Sequence, residues 1–256
     1  MRQESDSPTP HKINFMANSP TIHLSNIPKY VTHVTETLEN AGFEAFLVGG
    51  SVRDLIIKDP TRKGPKDWDI TTNAKPKEII DPTKVEFSDK LEDDLKRRDF
   101  TMNALAYNIS KGHLIDIYKG QTDIKDKVIK TVDNPNERFQ EDALRMLRAV
   151  RFSTQLGFAI EYSTMKAIVD NAYLIKNISK ERIRDEFVKI IESTKSALGV
   201  GMLSKLGLLK YIIPELEEGI GCQQGGAHVF DVFEHCLQAL EHITEKGLSI
   251  ELRLAA

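Results

Sequence analysis

Apolar residues recur along this chain in two rhythms, and the rhythm changes near residue 136. Val31, Val34 and Leu38 fall at helical spacing behind Pro28, a residue suited to a first helical turn, and Gly42 sits where a helix-ending glycine belongs. Ala45–Val48 then reads as a short apolar strand closed by Gly49 and Gly50. Trp68–Thr71, Leu114–Tyr118 and Val128–Val132 are further predicted strands. From about Asn136 the spacing turns wholly helical, predicting helices over 137–155, 163–175, 180–193, 197–206 and 230–246. The order predicts an α+β fold, with a mixed sheet and helices first and an all-α remainder after it. The chain contains no internal repeat.

Composition narrows the class. With 256 residues, 40% hydrophobic and 29% charged, the chain has enough apolar content for a packed core and is not wholesale disordered. No apolar run approaches the roughly 18–20 residues of a membrane span. Residues 1–26, rich in Ser, Pro, Asn and Thr, read as a disordered tail without the apolar core of a signal peptide. Cys222 and Cys236 are the two cysteines, which excludes a disulfide scaffold and suits a reducing cytosol. A cytoplasmic location is therefore expected. The formal net charge is −3, so any nucleic-acid binding must come from local basic stripes.

Four segments carry candidate chemistry. In Val48-Gly49-Gly50-Ser51-Val52-Arg53-Asp54, a strand runs through two glycines into a helix. Backbone N–H groups at that positive helix end suit phosphate, and Arg53 can add a guanidinium fork. An ordinary strand-to-helix turn would look the same. In Lys66-Asp67-Trp68-Asp69, a strand would put both carboxylates on one face, where they repel unless a cation lies between them. Nucleotidyl transfer uses such a pair to hold two magnesium ions; the alternative is a solvated strand edge. In Arg97-Arg98-Asp99-Phe100-Thr101-Met102-Asn103, paired arginines, an acid and an amide suit a triphosphate and a ribose, or form a solvated charge run. Finally, Asp142, Arg145, Arg148 and Arg151 follow one stripe of the predicted helix, while Met146, Leu147 and Val150 fall on its packed side. An Asp beside an Arg offers an acceptor and donors together, as a base edge requires; a salt-bridged surface helix is the other reading.

Together and in this order, these segments resemble the class II tRNA nucleotidyltransferases and bacterial poly(A) polymerases. LVGGSVRD at 47–54, KDWDITTNAKP at 66–76, EDDLKRRDFTMNALAY at 92–107 and DNPNERFQEDALRMLRAVRF at 133–152 carry the resemblance, with ISKERIRDE at 178–186 as a later helical motif. It implies a Pol β-like head over 27–133, a helical neck over 134–195 and a helical body from 196 to 256. It also implies addition of C and A to a tRNA 3′ end from CTP and ATP. By motif position, Asp67 and Asp69 would be catalytic and bind Mg²⁺. Gly49, Gly50 and Arg53 would hold nucleotide phosphate, and Arg98, Asp99 and Asn103 would serve triphosphate and ribose. Asp142 and Arg145 would read the base, supported by Arg148 and Arg151. Cytosine and adenine each show an amino donor beside a ring-nitrogen acceptor, which a carboxylate and a guanidinium match; uracil and guanine reverse that order.

Two departures from the family pattern stand out. Only 28 residues separate Asp69 from Arg98, leaving no counterpart for the family's central strand, its flexible loop and the strand with a third acidic residue. Val85-Glu86-Phe87 follows Ile79-Ile80 almost directly, so the head sheet is expected to be incomplete, with Glu86 and Asp81 the candidates for a third carboxylate. At the other end, Gln224, His228, Asp231–Glu234 and His235 resemble the entry of an HD phosphohydrolase domain, with Leu252–Ala256 as an interrupted helix of that module. His228 and His235 are the candidate vestigial HD ligands, or simply two partly exposed histidines. Ala143 after Glu141-Asp142 leans toward tRNA. Poly(A) synthesis, a catalytically impaired RNA- or nucleotide-binding remnant and an HD phosphohydrolase are the rivals, and the oligomeric state stays open.

Overall fold

The structure is a computed structural model that describes residues 22–57, 64–65, 67–75, 85–87, 90–223, 225 and 229–256, with 85–87 described by their backbone. Helix α1 (Lys29–Asn40) leads into strand β1 (Ala45–Val48) and helix α2 (Gly50–Ile57). Strands β2 (Asp69–Thr72) and β3 (Val85–Phe87) follow, then helix α3 (Leu91–Lys96) and strands β4 (Leu105–Asn108) and β5 (His113–Asp116). These five strands form one sheet in the order β3-β2-β1-β4-β5, antiparallel except for β2 and β3.

β4 was not among the predicted strands, and its burial explains why. All four residues of Leu-Ala-Tyr-Asn are buried, so no alternation marks the strand in the sequence. β2 begins one residue later than predicted. Its register against β1 ends at Val48↔Asp69, where the chain turns at Gly49 into α2, so Asp67 has no strand residue opposite it. β5 stops at Asp116, whose carboxylate accepts the N–H groups of Gly120 and Gln121 and starts helix α4 (Gly120–Asp126). The predicted strand 128–132 shrinks to β6 (Val128–Ile129), which leaves the main sheet and pairs in parallel with β7 (Ala159–Ile160).

The helical part contains α5 (Pro135–Glu141), α6 (Leu144–Leu156), α7 (Tyr162–Asn171), α8 (Lys180–Ile191), α9 (Ser196–Lys205), α10 (Pro214–Glu217), α11 (Val232–Glu245) and α12 (Ile250–Ala255). The single helix predicted over 137–155 is thus two. Asp142 takes an extended backbone (φ −150°, ψ 101°), and its Oδ1 accepts the N–H of Leu144, so it starts α6 instead of continuing α5. Arg145, Arg148 and Arg151 keep the predicted helical stripe, and Met146, Leu147 and Val150 are fully buried on the packed side. Asp142 leaves that stripe.

One apolar cluster runs from Ile22 and Ile27 through the sheet residues Leu47 and Leu105 to Leu147, Ile190, Leu203 and Leu240. It seats α6 against both the sheet side and α8–α9. Residues 24–26, assigned to the tail on composition, form a short 3₁₀ turn, because Ile22 and Ile27 on either side are drawn into this core. Residues 1–21 lie outside the described residues. Among the described residues, no helix is long and apolar enough to cross a membrane.

Candidate nucleotide-binding cleft

The strand ends at β1 and β2, helix α2 and the helices α6 and α8 line a cleft of about 1220 Å³. Gly50, Arg53, Asp67, Asp69, Arg98, Asp99, Asn103, Asp142, Arg145, Arg148 and Arg151 all line it. Residues from four separate sequence segments therefore converge on one cavity. Gly49 is the exception among those proposed for nucleotide: it lies beneath the lining.

Gly49 is required by geometry. Its φ is +75°, a region that favours glycine, and a Cβ there would collide with the Arg98 guanidinium and approach Asp69 Oδ2 to 3.3 Å. The turn thus brings Arg98 and a carboxylate of the Asp67–Asp69 pair together over bare backbone. Arg98 is held from behind. Its Nη2 donates to Asp94 Oδ2 at 3.0 Å, while Arg97 donates to the other oxygen of the same fully buried carboxylate. The i,i+3 and i,i+4 spacing of Asp94 to Arg97 and Arg98 is the sequence signal for this anchor.

A chain of charge-assisted bonds crosses the floor of the cleft. Arg53 donates to Asp54 (2.9 Å) and to Asn103 Oδ1 (2.8 Å), and Asn103 donates to Asp99 Oδ1 (2.9 Å). Arg148 donates to Asp99 Oδ2 through Nε (2.7 Å) and Nη2 (2.6 Å). Burial alone would raise the Asp99 carboxyl. The Arg148 charge and hydrogen bonds from Asn103, Arg148 and the Phe100 N–H outweigh it and hold the group below its ordinary range. Burial likewise pushes the Arg148 guanidinium down, and Asp99 more than reverses the shift. Arg151 is different: burial, reinforced by the neighbouring Arg148, leaves it lowered even though Glu186 accepts its Nε–H at 2.6 Å. The guanidinium carbons of Arg53, Arg148 and Arg151 stand 5.0, 5.5 and 4.1 Å from the ring centre of Phe152. Phe152 follows Arg148 and Arg151 by four and one positions on α6, a local spacing, whereas Glu186 meets Arg151 from a segment 35 residues away.

At the α5–α6 break, Arg145 Nη1 donates to Glu141 (2.8 Å) and to the Arg138 carbonyl (3.2 Å), and Nη2 to the Arg97 carbonyl (2.8 Å). Three of its five N–H groups are therefore spent on protein. Beside it, Asp142 Oδ2 accepts from Arg182 of α8 at 2.8 Å. Arg182 falls within the ISKERIRDE motif at 178–186.

The remaining candidates lie elsewhere. His235 is exposed on the first turn of α11, Asp231 caps that helix through the Glu234 N–H, and His228, Gln224 and Asp81 are outside the described residues, as is the side chain of Glu86. Among the described residues no group of three His, Cys, Asp or Glu side chains is placed to hold a metal ion.

Comparison with known proteins matches this layout. A family model described as the poly(A) polymerase head domain matches residues 45–81 and 78–130, and a second, described as the probable RNA- and SrmB-binding site of polymerase A, matches 157–220. The chain is 38% identical to a CCA-adding enzyme of Lactobacillus helveticus over 240 aligned positions, which take in 78% of this chain and 57% of the relative. It is 42% identical to a CCA-adding enzyme of Lactobacillus delbrueckii subsp. bulgaricus, covering 66% of this chain and 52% of that one. Among solved structures, the Bacillus stearothermophilus CCA-adding enzyme in complex with CTP superimposes with a TM-score of 0.66 at 35% identity, over 73% of this chain and 54% of that one. The chain spans little more than half the length of these curated relatives. The aligned positions outnumber the residues of this chain that they take in, and the two pieces of the head match overlap at 78–81. On these matches and on the four converging motifs, the chain belongs to the family of class II tRNA nucleotidyltransferases and bacterial poly(A) polymerases.

Proposed function

We propose that the chain is a tRNA nucleotidyltransferase that adds C and/or A to a tRNA 3′ end from CTP and ATP. The observation that carries this reading is the convergence of the Asp67–Asp69 carboxylates, the Arg53 and Arg98 guanidiniums and the Asp142–Arg145 pair on one cleft. Residues 27–133 would serve as the head, 134–195 as the neck and 196–256 as the start of the body. A curated CCA-adding relative and a solved complex with CTP support the choice of reaction and nucleotide.

Each wall has a task. Asp142 accepts the exocyclic amino group of cytosine or adenine, and Arg145 donates to the neighbouring ring nitrogen from an N–H not spent on protein. Arg53 and Arg98 take the triphosphate over the turn at Gly49 and Gly50. Asp99, with both oxygens occupied by protein donors, holds Arg148 and Asn103 in place instead of meeting a ribose itself. The RNA 3′-hydroxyl then attacks the α-phosphate in line and pyrophosphate leaves, with positioning and charge complementarity carrying the step. Asp67 and Asp69 are oxygen donors, and no histidine or cysteine is among the described residues lining the cleft, a donor set that fits magnesium. Two such ions, when bound, supply charge neutralisation at the reacting and departing phosphates.

The short segment of 28 residues between Asp69 and Arg98 favours one second reading, a nucleotide- and RNA-binding protein of impaired catalysis. Incorporation of labelled CTP and ATP into tRNA lacking CCA, against generic RNA, separates the readings. Incorporation confined to tRNA supports the proposal. Tailing of any RNA with A points to poly(A) synthesis, and nucleotide binding without incorporation points to the second reading.

A further inference from the structure

Arg182 lies on the first turn of α8, 40 residues after Asp142, and among the described residues its side chain bonds to that carboxylate alone. Asp142 is thereby tied at both oxygens. Oδ1 accepts the Leu144 N–H at 3.1 Å, and Oδ2 accepts Arg182 Nη2 at 2.8 Å. The two anchors come from different elements and fix the plane of the carboxylate as well as its position. Each carboxylate oxygen can accept about two hydrogen bonds, so one lone pair on each remains for a ligand. Arg182 accordingly leaves Asp142 able to accept while removing its freedom to rotate. The Asp142 side chain is 30% exposed and lines the cleft, as Arg182 does, so this fixed acceptor faces the cavity.

We infer that Arg182 is a positioning residue for base selection: it acts through Asp142 to hold the acceptor in register with the Arg145 donors. The inference rests on the reading of Asp142 and Arg145 as the pair that meets the base edge. An acceptor fixed in plane beside a fixed donor matches a base showing amino donor then ring acceptor. A base showing a carbonyl then a ring N–H places two acceptors and two donors face to face and is excluded. Release of the Arg182 anchor lets the carboxylate turn about its last torsion, and the penalty against the wrong edge falls. The site itself is built by other contacts. Arg145 is held by Glu141 and by the Arg138 and Arg97 carbonyls, and none of these involves Arg182.

Equilibrium binding of CTP and UTP to the full chain with Mg²⁺ tests this without requiring turnover. The native protein should prefer CTP. Arg182→Ala should lower the CTP-over-UTP ratio on the order of tenfold, equivalent to about 1.4 kcal/mol, chiefly by strengthening UTP binding relative to CTP. Arg182→Lys, which keeps one N–H donor for a one-point contact, should restore most of the ratio. Because the Arg182 side chain is 52% exposed, the melting temperature of either variant should stay close to native. In an Asp142→Ala background, Arg182→Ala should change the ratio no further. A native ratio in Arg182→Ala overturns the inference alone. So does a lowered ratio that persists in the Asp142→Ala background, since Arg182 would then act elsewhere. A native protein that binds CTP and UTP equally overturns the base-reading assignment and this inference with it, whereas failure of CTP incorporation with the binding preference intact counts against the proposed reaction and leaves the role of Arg182 standing.

Discussion

The two walls of the cleft are built differently. The helical wall, from Asp142 to Arg151, is tied down by ion pairs on every side: Arg145 to Glu141, Asp142 to Arg182, Arg148 to Asp99 and Arg151 to Glu186. It rests on the fully buried Met146, Leu147 and Val150. The carboxylate wall is a strand start: Asp69 opens a four-residue strand and Asp67 precedes it. One wall is organised before any ligand arrives. The other brings two carboxylates, an oxygen donor set, to the start of a short strand beside Arg98. Under the proposed function, the helical wall selects the base and the carboxylate wall serves the reaction.

Substitutions at the two walls should therefore fail in different ways. The largest effect is expected from Asp67→Ala, which should cut CTP incorporation by at least about a thousandfold, since a catalytic cation contributes several kcal/mol. CTP binding and tRNA binding should change little. Loss of nucleotide binding together with turnover would erase the division between the walls. Next, Asp99→Ala removes the partner of Arg148 and should destabilise the fold by about 3 kcal/mol in urea unfolding. That is the low end for breaking a buried pair, because the Arg148 side chain is 34% exposed. Wild-type stability would mean that the floor of the cleft does not brace the helical wall. Gly49→Ala is smaller, at about 1–2 kcal/mol for a side chain at positive φ. It should also weaken CTP binding, because the new methyl displaces Arg98; unaltered affinity would detach Arg98 from the phosphates.

The smallest effect is in acid. The Asp99 carboxyl is depressed below its ordinary value of 3.8. Its contribution is then fully present above the unfolded-state value and is lost as pH falls through the lower folded-state value. The stability difference between the native protein and Asp99→Asn should stay flat from pH 7 to the ordinary carboxylate range and shrink below it. A difference that already shrinks near pH 6 would contradict the depressed state.

Legibility in the sequence followed the range of each interaction. The glycine turn, the paired carboxylates and the Arg145–Arg148–Arg151 stripe are local patterns, and the structure brings them to one cleft. The strand β4 was hidden because burial on both faces removes alternation. The break at Asp142 was hidden because a helical rhythm continues on both sides of it, while the interruption is made by one side-chain bond to Leu144. Arg182 and Glu186 could not be found by spacing, because Asp142–Arg182 and Arg151–Glu186 are contacts between segments 40 and 35 residues apart. The composition of residues 22–26 suggested a tail, and two isoleucines flanking Leu24–Asn26 were enough to seat that segment.

The most direct test of the account is incorporation of labelled CTP, ATP, UTP and GTP by the full chain into tRNA ending at the discriminator base, at C and at CC, alongside Asp67→Ala and Asp142→Ala. The account predicts that C, A or both are added to at least one of these ends. It further predicts no addition by Asp67→Ala, and residual addition with relaxed exclusion of U and G by Asp142→Ala. Undiminished incorporation by Asp67→Ala, or unchanged base selection by Asp142→Ala, would contradict it.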